Sequence, residues 1–157
     1  MSETTCPGLL RAAVLAGALL MLSTVMALSP AFTPRAAALT MDQRLHVLRV
    51  AASREGAPYQ WGAAGPWRFD CSGYTKWVFA KLGRTLPHSS AMQYNAVRHV
   101  RAVDRQRGDL VFFSSGGHVY HVAIYAGRGR IWHAPRSGER VHRERLWTSH
   151  VSYGSVR

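Results

Sequence analysis

Between residues 39 and 157 the spacing of apolar positions changes once, and the change divides the chain into a helical part and a strand part. Met41, Leu45, Leu48 and Ala52 recur at helical spacing and predict a first helix of about three turns. Thr40-Met41-Asp42-Gln43 ahead of it has the form of a capping box, and Gly56 and Pro58 end it. Residues 57–70 are rich in aromatic residues with Gly and Pro between them, which reads as a loop; Trp61 and Trp67 are expected to plug an edge of the core. Asp70 fits the N-cap of a second helix running from about Ser72 to Leu82 through Trp77, Val78 and Phe79. Lys81 falls in its last turn and Gly83 at the left-handed cap. A third, shorter helix begins near Ser89-Ser90, where Ser90 and Gln93 again match a capping box.

From residue 108 the period shortens to two. Leu110-Val111-Phe112-Phe113 predicts an apolar strand, Ser114 to Gly117 a turn, and Val119 to Tyr125 a half-buried strand. Gly127-Arg128-Gly129 makes a tight connection to a strand at Arg130 to Ala134. Val141 to Arg143 and Val151 to Val156 carry weaker strand patterns. Helices first and hairpin-linked strands after them give an α+β order with an antiparallel sheet. With no repeat, low-complexity tract or long linker, residues 39–157 are expected to form a single domain.

Residues 1–38 have a different character. Arg11 precedes an uncharged run from Ala12 to Leu28, and Ala36-Ala37-Ala38 supplies an A-x-A-type cleavage site, the pattern of an export signal. A spanning helix needs about 20 apolar residues, and this run is shorter and interrupted by Gly17, Ser23 and Thr24. Cleavage near Ala38 is therefore expected over retention as an anchor, with membrane contact limited to this segment.

The whole chain carries 20 Lys and Arg against 8 Asp and Glu, a formal +12; residues 39–157 keep 18 and 7, a formal +11. Such a balance favours polyanions. The arginines are scattered as singles and pairs and form no nucleic-acid recognition module, and export points to the anionic polymers of a cell envelope.

Of the two cysteines, Cys6 lies in the leading segment, which leaves Cys71 alone in the domain. A structural zinc site built on cysteines is thereby excluded, because no C-x-x-C pair exists. Cys71 sits where a loop enters a helix, and the unpaired amides of a first helical turn shift a thiol toward thiolate. The plainer reading is a small buried hydrophobe. Among eight histidines, His46, His99, His142 and His150 have contexts that suit solvated side chains. His121 shares a strand face with Ala123 and Tyr125, and His133 shares one with Ile131. The hairpin at Gly127-Arg128 makes these two histidines facing or diagonal neighbours, about 5–8 Å apart at Cβ. Two imidazoles on one face suit either a metal pair or a base and its orienter. A metal needs a third ligand, and neither Asp109 nor His118 is evidently placed to give one. With the thiol, the pair suits nucleophilic catalysis: His121 takes the proton of Cys71 and His133 orients His121. The backbone N–H of Cys71 and the Tyr59 hydroxyl are candidate oxyanion donors.

Six blocks then stand in order: Pro58-Tyr59-x-Trp61-Gly62, Phe69-Asp70-Cys71-Ser72-Gly73, Leu86-Pro87-x-Ser89-Ser90-x-x-Gln93, Gly108-Asp109-Leu110-Val111-Phe112-Phe113, His121-Val122-Ala123-Ile124-Tyr125-x-Gly127-x-Gly129 and Ile131-x-His133-Ala134-Pro135. Together, from about Arg44 to His150, they resemble the NlpC-type family of papain-like cysteine peptidases of bacterial cell walls. The resemblance implies a papain-like α+β fold, a Cys71–His121–His133 triad, and hydrolysis of peptidoglycan stem peptides between D-γ-glutamate and a diamino acid. It also implies that Tyr59, Asp70 and Ser72 line the substrate groove, and that neither cofactor nor metal is required. The chain departs from the family pattern at Arg107, where Pro is usual, at Tyr74, at His88, where Arg is common, and at the additional His118. Of these, His88 bears on substrate preference.

The expected protein is a secreted, wall-associated monomer whose partners are stem peptides and anionic wall polymers rather than nucleic acid. No wall-binding repeat or SH3-like domain accompanies the pattern, and the basic surface is expected to hold the enzyme on the wall. Two alternatives share the fold: a peptidoglycan binder with little turnover, which intact Cys71, His121 and His133 argue against, and an amidase or acyltransferase using the same triad.

Overall fold

Thr40 stands in extended conformation at the N-cap of α1 (Met41–Ala52). Its hydroxyl accepts from the Gln43 N–H at 3.3 Å while Gln43 Oε1 accepts from the Thr40 N–H at 3.0 Å, so the box closes in both directions. The structure, a computed structural model, describes residues 37–157, which belong to one compact unit, Pro34–Arg157. All but the last two residues of the expected export signal lie outside the described residues. No helix among the described residues is long and apolar enough to cross a membrane.

The buried face of α1 is not the predicted apolar stripe. Arg44, Val47 and Ala51 point inward, whereas Met41 is 66% exposed and Leu45 is on the surface. Arg44 is accommodated because its Nη1 donates to Asp109 Oδ1 at 2.8 Å and to the Arg107 carbonyl at 3.0 Å, while Nη2 reaches Ser155 Oγ at 3.4 Å. A hydropathy pattern counts such a paired arginine as a surface residue.

The second helix, α2 (Cys71–Ala80), begins one residue earlier than predicted, with Cys71 as its first helical residue. Asp70 caps it, its Oδ1 accepting from the Gly73 N–H at 2.7 Å. Gly73 is required here by space: a Cβ would lie 2.1 Å from the Ala63 carbonyl oxygen. Lys81 falls at the C-cap, just past the last helical turn, and Gly83 takes the left-handed conformation expected of it, with φ +71°.

The third helix, α3 (Ser90–Ala96), is capped by Ser89, whose hydroxyl accepts from the Met92 N–H. Ser90 and Gln93 do not form the predicted capping box. Gln93 is fully buried and satisfies internal groups instead, its Nε2 donating to the Ser72 and Pro87 carbonyls at 2.8 Å each and its Oε1 accepting from Thr75 Oγ1 at 2.7 Å.

The strands β1 (Arg98–Val100), β2 (Leu110–Ser115), β3 (His118–Gly127), β4 (Arg130–His133), β5 (His142–Arg145) and β6 (Val151–Ser155) form one antiparallel sheet in the order β1-β6-β2-β3-β4-β5. The alternation read from the sequence sets its two faces. Leu110, Phe112, Val122, Ile124 and Trp132 join Val47, Ala51, Val78 and Phe79 in the main core under the helices. Val111, Phe113, Ala123, Tyr125, Ile131 and Tyr153 make a second cluster on the other face, with Leu146 packed on it. Phe69, not the loop tryptophans, plugs the core from the 57–70 segment, meeting Tyr74 and Trp77 edge-on at 5.5 Å. Trp61 and Trp67 are 84% and 75% exposed. The departure at Tyr74 is absorbed by burial, its hydroxyl donating to the Ala51 carbonyl at 2.9 Å.

Candidate active site

The local rules that build α2 and the β3–β4 hairpin converge on one cleft of about 540 Å³, whose lining includes Tyr59, Cys71, His121, His133, Glu144 and Trp147. Trp61, Tyr120, Pro135, Arg136 and Glu139 also line it.

Cys71 is half-buried at the N-terminus of α2. Burial pushes its thiol above the ordinary value; the amide of Val122 opposes this, the Asp70 carboxylate adds to it, and the amides of Ser72 and Cys71 oppose it more weakly. The thiolate shift expected from the helix terminus is thus overturned. The amides act in the expected sense, but loss of water around the sulfur outweighs them. At neutral pH Cys71 is therefore a thiol rather than a thiolate.

His121 follows the alternation of the second sheet face, opposite Phe113 in the β2–β3 ladder, and is 7% exposed. Ile124 pairs with Trp132 and Tyr125 with Ile131, a register that makes His121 and His133 diagonal neighbours. The two rings are 5.2 Å apart at 79°, with His121 Nε2 2.9 Å from His133 Nδ1. Burial lowers the pKa of His121 to about 4; burial, then the neighbouring His121 and His142, lower that of His133 to about 3. Both are neutral at pH 7. No hydrogen bond joins Cys71 to His121 among the described residues, although both face the cleft.

Glu144, which the sequence reading did not single out, extends this line. Its Oε1 is 2.7 Å from His133 Nε2, within ion-pair distance though outside hydrogen-bond geometry. A carboxylate only accepts, so it favours the His133 tautomer with the proton on Nε2. Nδ1 of His133 then accepts from Nε2 of His121, and the free lone pair of His121 lies on Nδ1. The signal was present in the sequence as His142-x-Glu144 on an edge strand. It becomes legible only with the β4–β5 register, in which His133 faces His142 and Ile131 faces Glu144.

Tyr59 lines the cleft, and burial raises its pKa, with Cys71 and Asp70 adding to the rise, so its hydroxyl remains a donor. Asp70, Ser72 and His88 come together with one another rather than along this cleft. Asp70 accepts from Ser72 Oγ at 3.2 Å and from the Gly62 N–H at 2.9 Å, and His88 Nε2 is 2.9 Å from Asp70 Oδ2. Ser72 is buried. These contacts tie the 57–70 loop, the start of α2 and the segment before α3 into one support for Cys71. Trp147 covers the histidines from the other side, stacked on Phe113 at 4.3 Å and 9°.

The profile of the NlpC/P60 family matches residues 56–156. The probable endopeptidase p60 of Listeria monocytogenes is 39% identical over 113 residues, covering 70% of this chain and 23% of that protein. The bifunctional muramidase/DL-endopeptidase CwlT of Bacillus subtilis is 38% identical over 125 residues, 75% of this chain and 38% of its own. The chain therefore spans well under half the length of these curated relatives. Among solved structures, the NlpC/p60 domain of the peptidoglycan hydrolase SagA superposes with a TM-score of 0.65 at 33% identity, covering 73% of this chain and 97% of that one. The peptidoglycan hydrolase RipB of Mycobacterium tuberculosis gives 0.63 at 34% identity over 73% of this chain and 63% of its own. By the profile match, the relatives and the fold together, the chain belongs to the NlpC/P60 family of papain-like cysteine peptidases.

Proposed function

We propose that this protein is an exported peptidoglycan endopeptidase that hydrolyses stem peptides at the bond between D-γ-glutamate and a diamino acid. The observation that carries the mechanism is the 2.9 Å contact between His121 Nε2 and His133 Nδ1, beside a thiol at a helix N-terminus. Relatives described as endopeptidases and peptidoglycan hydrolases support the reaction class.

In this reading Cys71 Sγ attacks the scissile carbonyl while its proton passes to Nδ1 of His121. Positive charge arises on His121 only during the reaction, and His133 accepts the Nε2 proton that charge strengthens. The Cys71 N–H and the Tyr59 hydroxyl donate to the oxyanion. His121 then gives its proton to the departing amine, leaving an acyl group on sulfur. Water, deprotonated by the same ring, releases the new carboxylate and restores the thiol. Trp61, Tyr120 and Trp147 offer apolar walls to the methylene chain of a diamino acid. The export signal of residues 1–38 brings the enzyme to its substrate, and its excess of arginine holds it on anionic wall polymers.

Mass spectrometry of products from a defined muropeptide tests the reading. The expected pair is one fragment ending in D-glutamate and one beginning with the diamino acid. Separation of sugar from L-Ala would make the protein an amidase, and an unchanged muropeptide would make it a binder.

A further inference from the structure

We propose that His133, His142 and Glu144 form a binding site for one divalent transition-metal ion of the zinc class, and that an ion bound there silences the thiol centre. The three residues lie on neighbouring edge strands. His142 stands directly opposite His133 in the β4–β5 ladder and Glu144 is two residues further along β5, so all three share a sheet face. One ligand atom from each lies within 4.8 Å of the other two. His133 Nε2 is 2.7 Å and His142 Nε2 is 3.8 Å from the same Glu144 oxygen. Ligand bonds of about 2.0–2.2 Å in a tetrahedral site put neighbouring ligand atoms about 3.3 Å apart. The two separations bracket that spacing.

Two further observations point to a ligand. His133 Nε2 is buried and, although Glu144 Oε1 is 2.7 Å away, has no partner in hydrogen-bond geometry among the described residues. His142 Nδ1 lies 2.8 Å from the Arg140 carbonyl oxygen, so it carries the proton and leaves the lone pair on Nε2. A backbone acceptor behind the ring is the outer support that metal-ligating imidazoles use. Two imidazoles and one carboxylate with a fourth position left over make a zinc-type donor set. Glu144 is half-exposed and lines the cleft, which gives an ion a route in and leaves that fourth position to water.

The consequence for catalysis follows from counting protons. A metal on Nε2 of His133 leaves the proton of that neutral ring on Nδ1, where it donates across the 2.9 Å contact to Nε2 of His121. The proton of His121 is then on Nδ1, and the lone pair that would take the thiol proton is gone. One atom, His133 Nε2, therefore holds either a proton in the active form or a metal in the silent one. This consequence rests on the proposed thiol mechanism, whereas binding of the ion does not.

Calorimetric titration of zinc chloride into the tag-free Cys71→Ser protein tests the site with the thiol removed. One ion per chain is expected, with affinity falling at least about tenfold in the added His142→Ala variant, since losing a ligand costs no less than the roughly 10- to 100-fold of losing an outer-shell partner. His142→Gln is the second variant should the first fail to fold. No binding, or equal affinity with and without His142, overturns the site. In the Cys71-containing protein, zinc should suppress muropeptide cleavage relative to the same sample with chelator, and His142→Ala should need at least about tenfold more zinc for the same suppression. Equal suppression in both would mean that the metal acts on the thiol itself and would overturn the switch. Binding without suppression would overturn the switch and leave the site standing.

Discussion

His121 Nε2 and His133 Nδ1 lie 2.9 Å apart and share one proton between them. The carboxylate of Glu144, 2.7 Å from the far nitrogen of His133, favours placing that shared proton on His121. In the proposed mechanism, which nitrogen of His121 keeps its lone pair is thus set by a group on a different strand.

Removing the base should cost more than removing its orienter. His121→Ala is expected to lower kcat by about 10²- to 10⁴-fold. His133→Ala should lose less, and His133→Asn, which restores an acceptor for the His121 proton, should recover part of that loss. Steady-state kinetics on a stem peptide checks the order, with KM little changed throughout. Equal losses for the two alanine variants would contradict the assigned roles.

The thiol should titrate on the alkaline side. Burial pushes Cys71 up and holds His121 at about 4, so both shifts oppose a resting thiolate–imidazolium pair. The rate of alkylation by iodoacetamide should therefore rise through the alkaline range without an acidic plateau. A plateau reaching below about pH 6 would show a preformed ion pair.

The histidines should also make the fold acid-sensitive. His121 falls from an ordinary 6.5 to about 4 on folding, so between those values the unfolded chain takes up a proton that the folded one refuses. Its stabilising contribution is complete above 6.5 and lost as the pH falls toward about 4, on the order of 3 kcal/mol at about 1.4 kcal/mol per unit. His133 adds a change of the same sign. Urea unfolding at about pH 7.5 and about pH 4.5 should show the loss, and His121→Asn should reduce it to the part that His133 contributes. A wild-type midpoint that does not move would contradict the burial argument.

Much of this was legible in the sequence because it depends on local periodicity. The capping box at Thr40, the helix begun by Asp70-Cys71 and the alternation through His121 and His133 each involve residues a few positions apart, and each appears in the structure. What was not legible depends on distant partners. Arg98-His99-Val100 has no strand pattern and becomes β1 only by pairing with β6. Gln93 looked like a cap because its buried acceptors lie elsewhere in the chain. The expected thiolate failed for a related reason, since the desolvation that opposes it comes from packing. His142 and Glu144 needed the β4–β5 register before they meant anything.

Arg44 is the clearest such case, and it can be tested. Arg44→Ala leaves the buried Asp109 carboxylate without its ion-pair partner; among the described residues its side chain then keeps the backbone N–H of Gln106 at 2.7 Å. A loss of about 3–5 kcal/mol in urea unfolding is expected, and joint replacement of Arg44 by Met and Asp109 by Leu should recover most of it. A loss below about 1 kcal/mol would mean that the pair is effectively solvated.

The claim on which the rest depends is that the sulfur of Cys71 performs the attack. The most direct test is the release of new amine termini from a purified stem peptide by Cys71→Ala, with its cooperative unfolding transition recorded alongside. The account predicts a folded protein whose release rate is indistinguishable from that of the peptide alone. A folded variant that retains a tenth or more of the wild-type rate would contradict it.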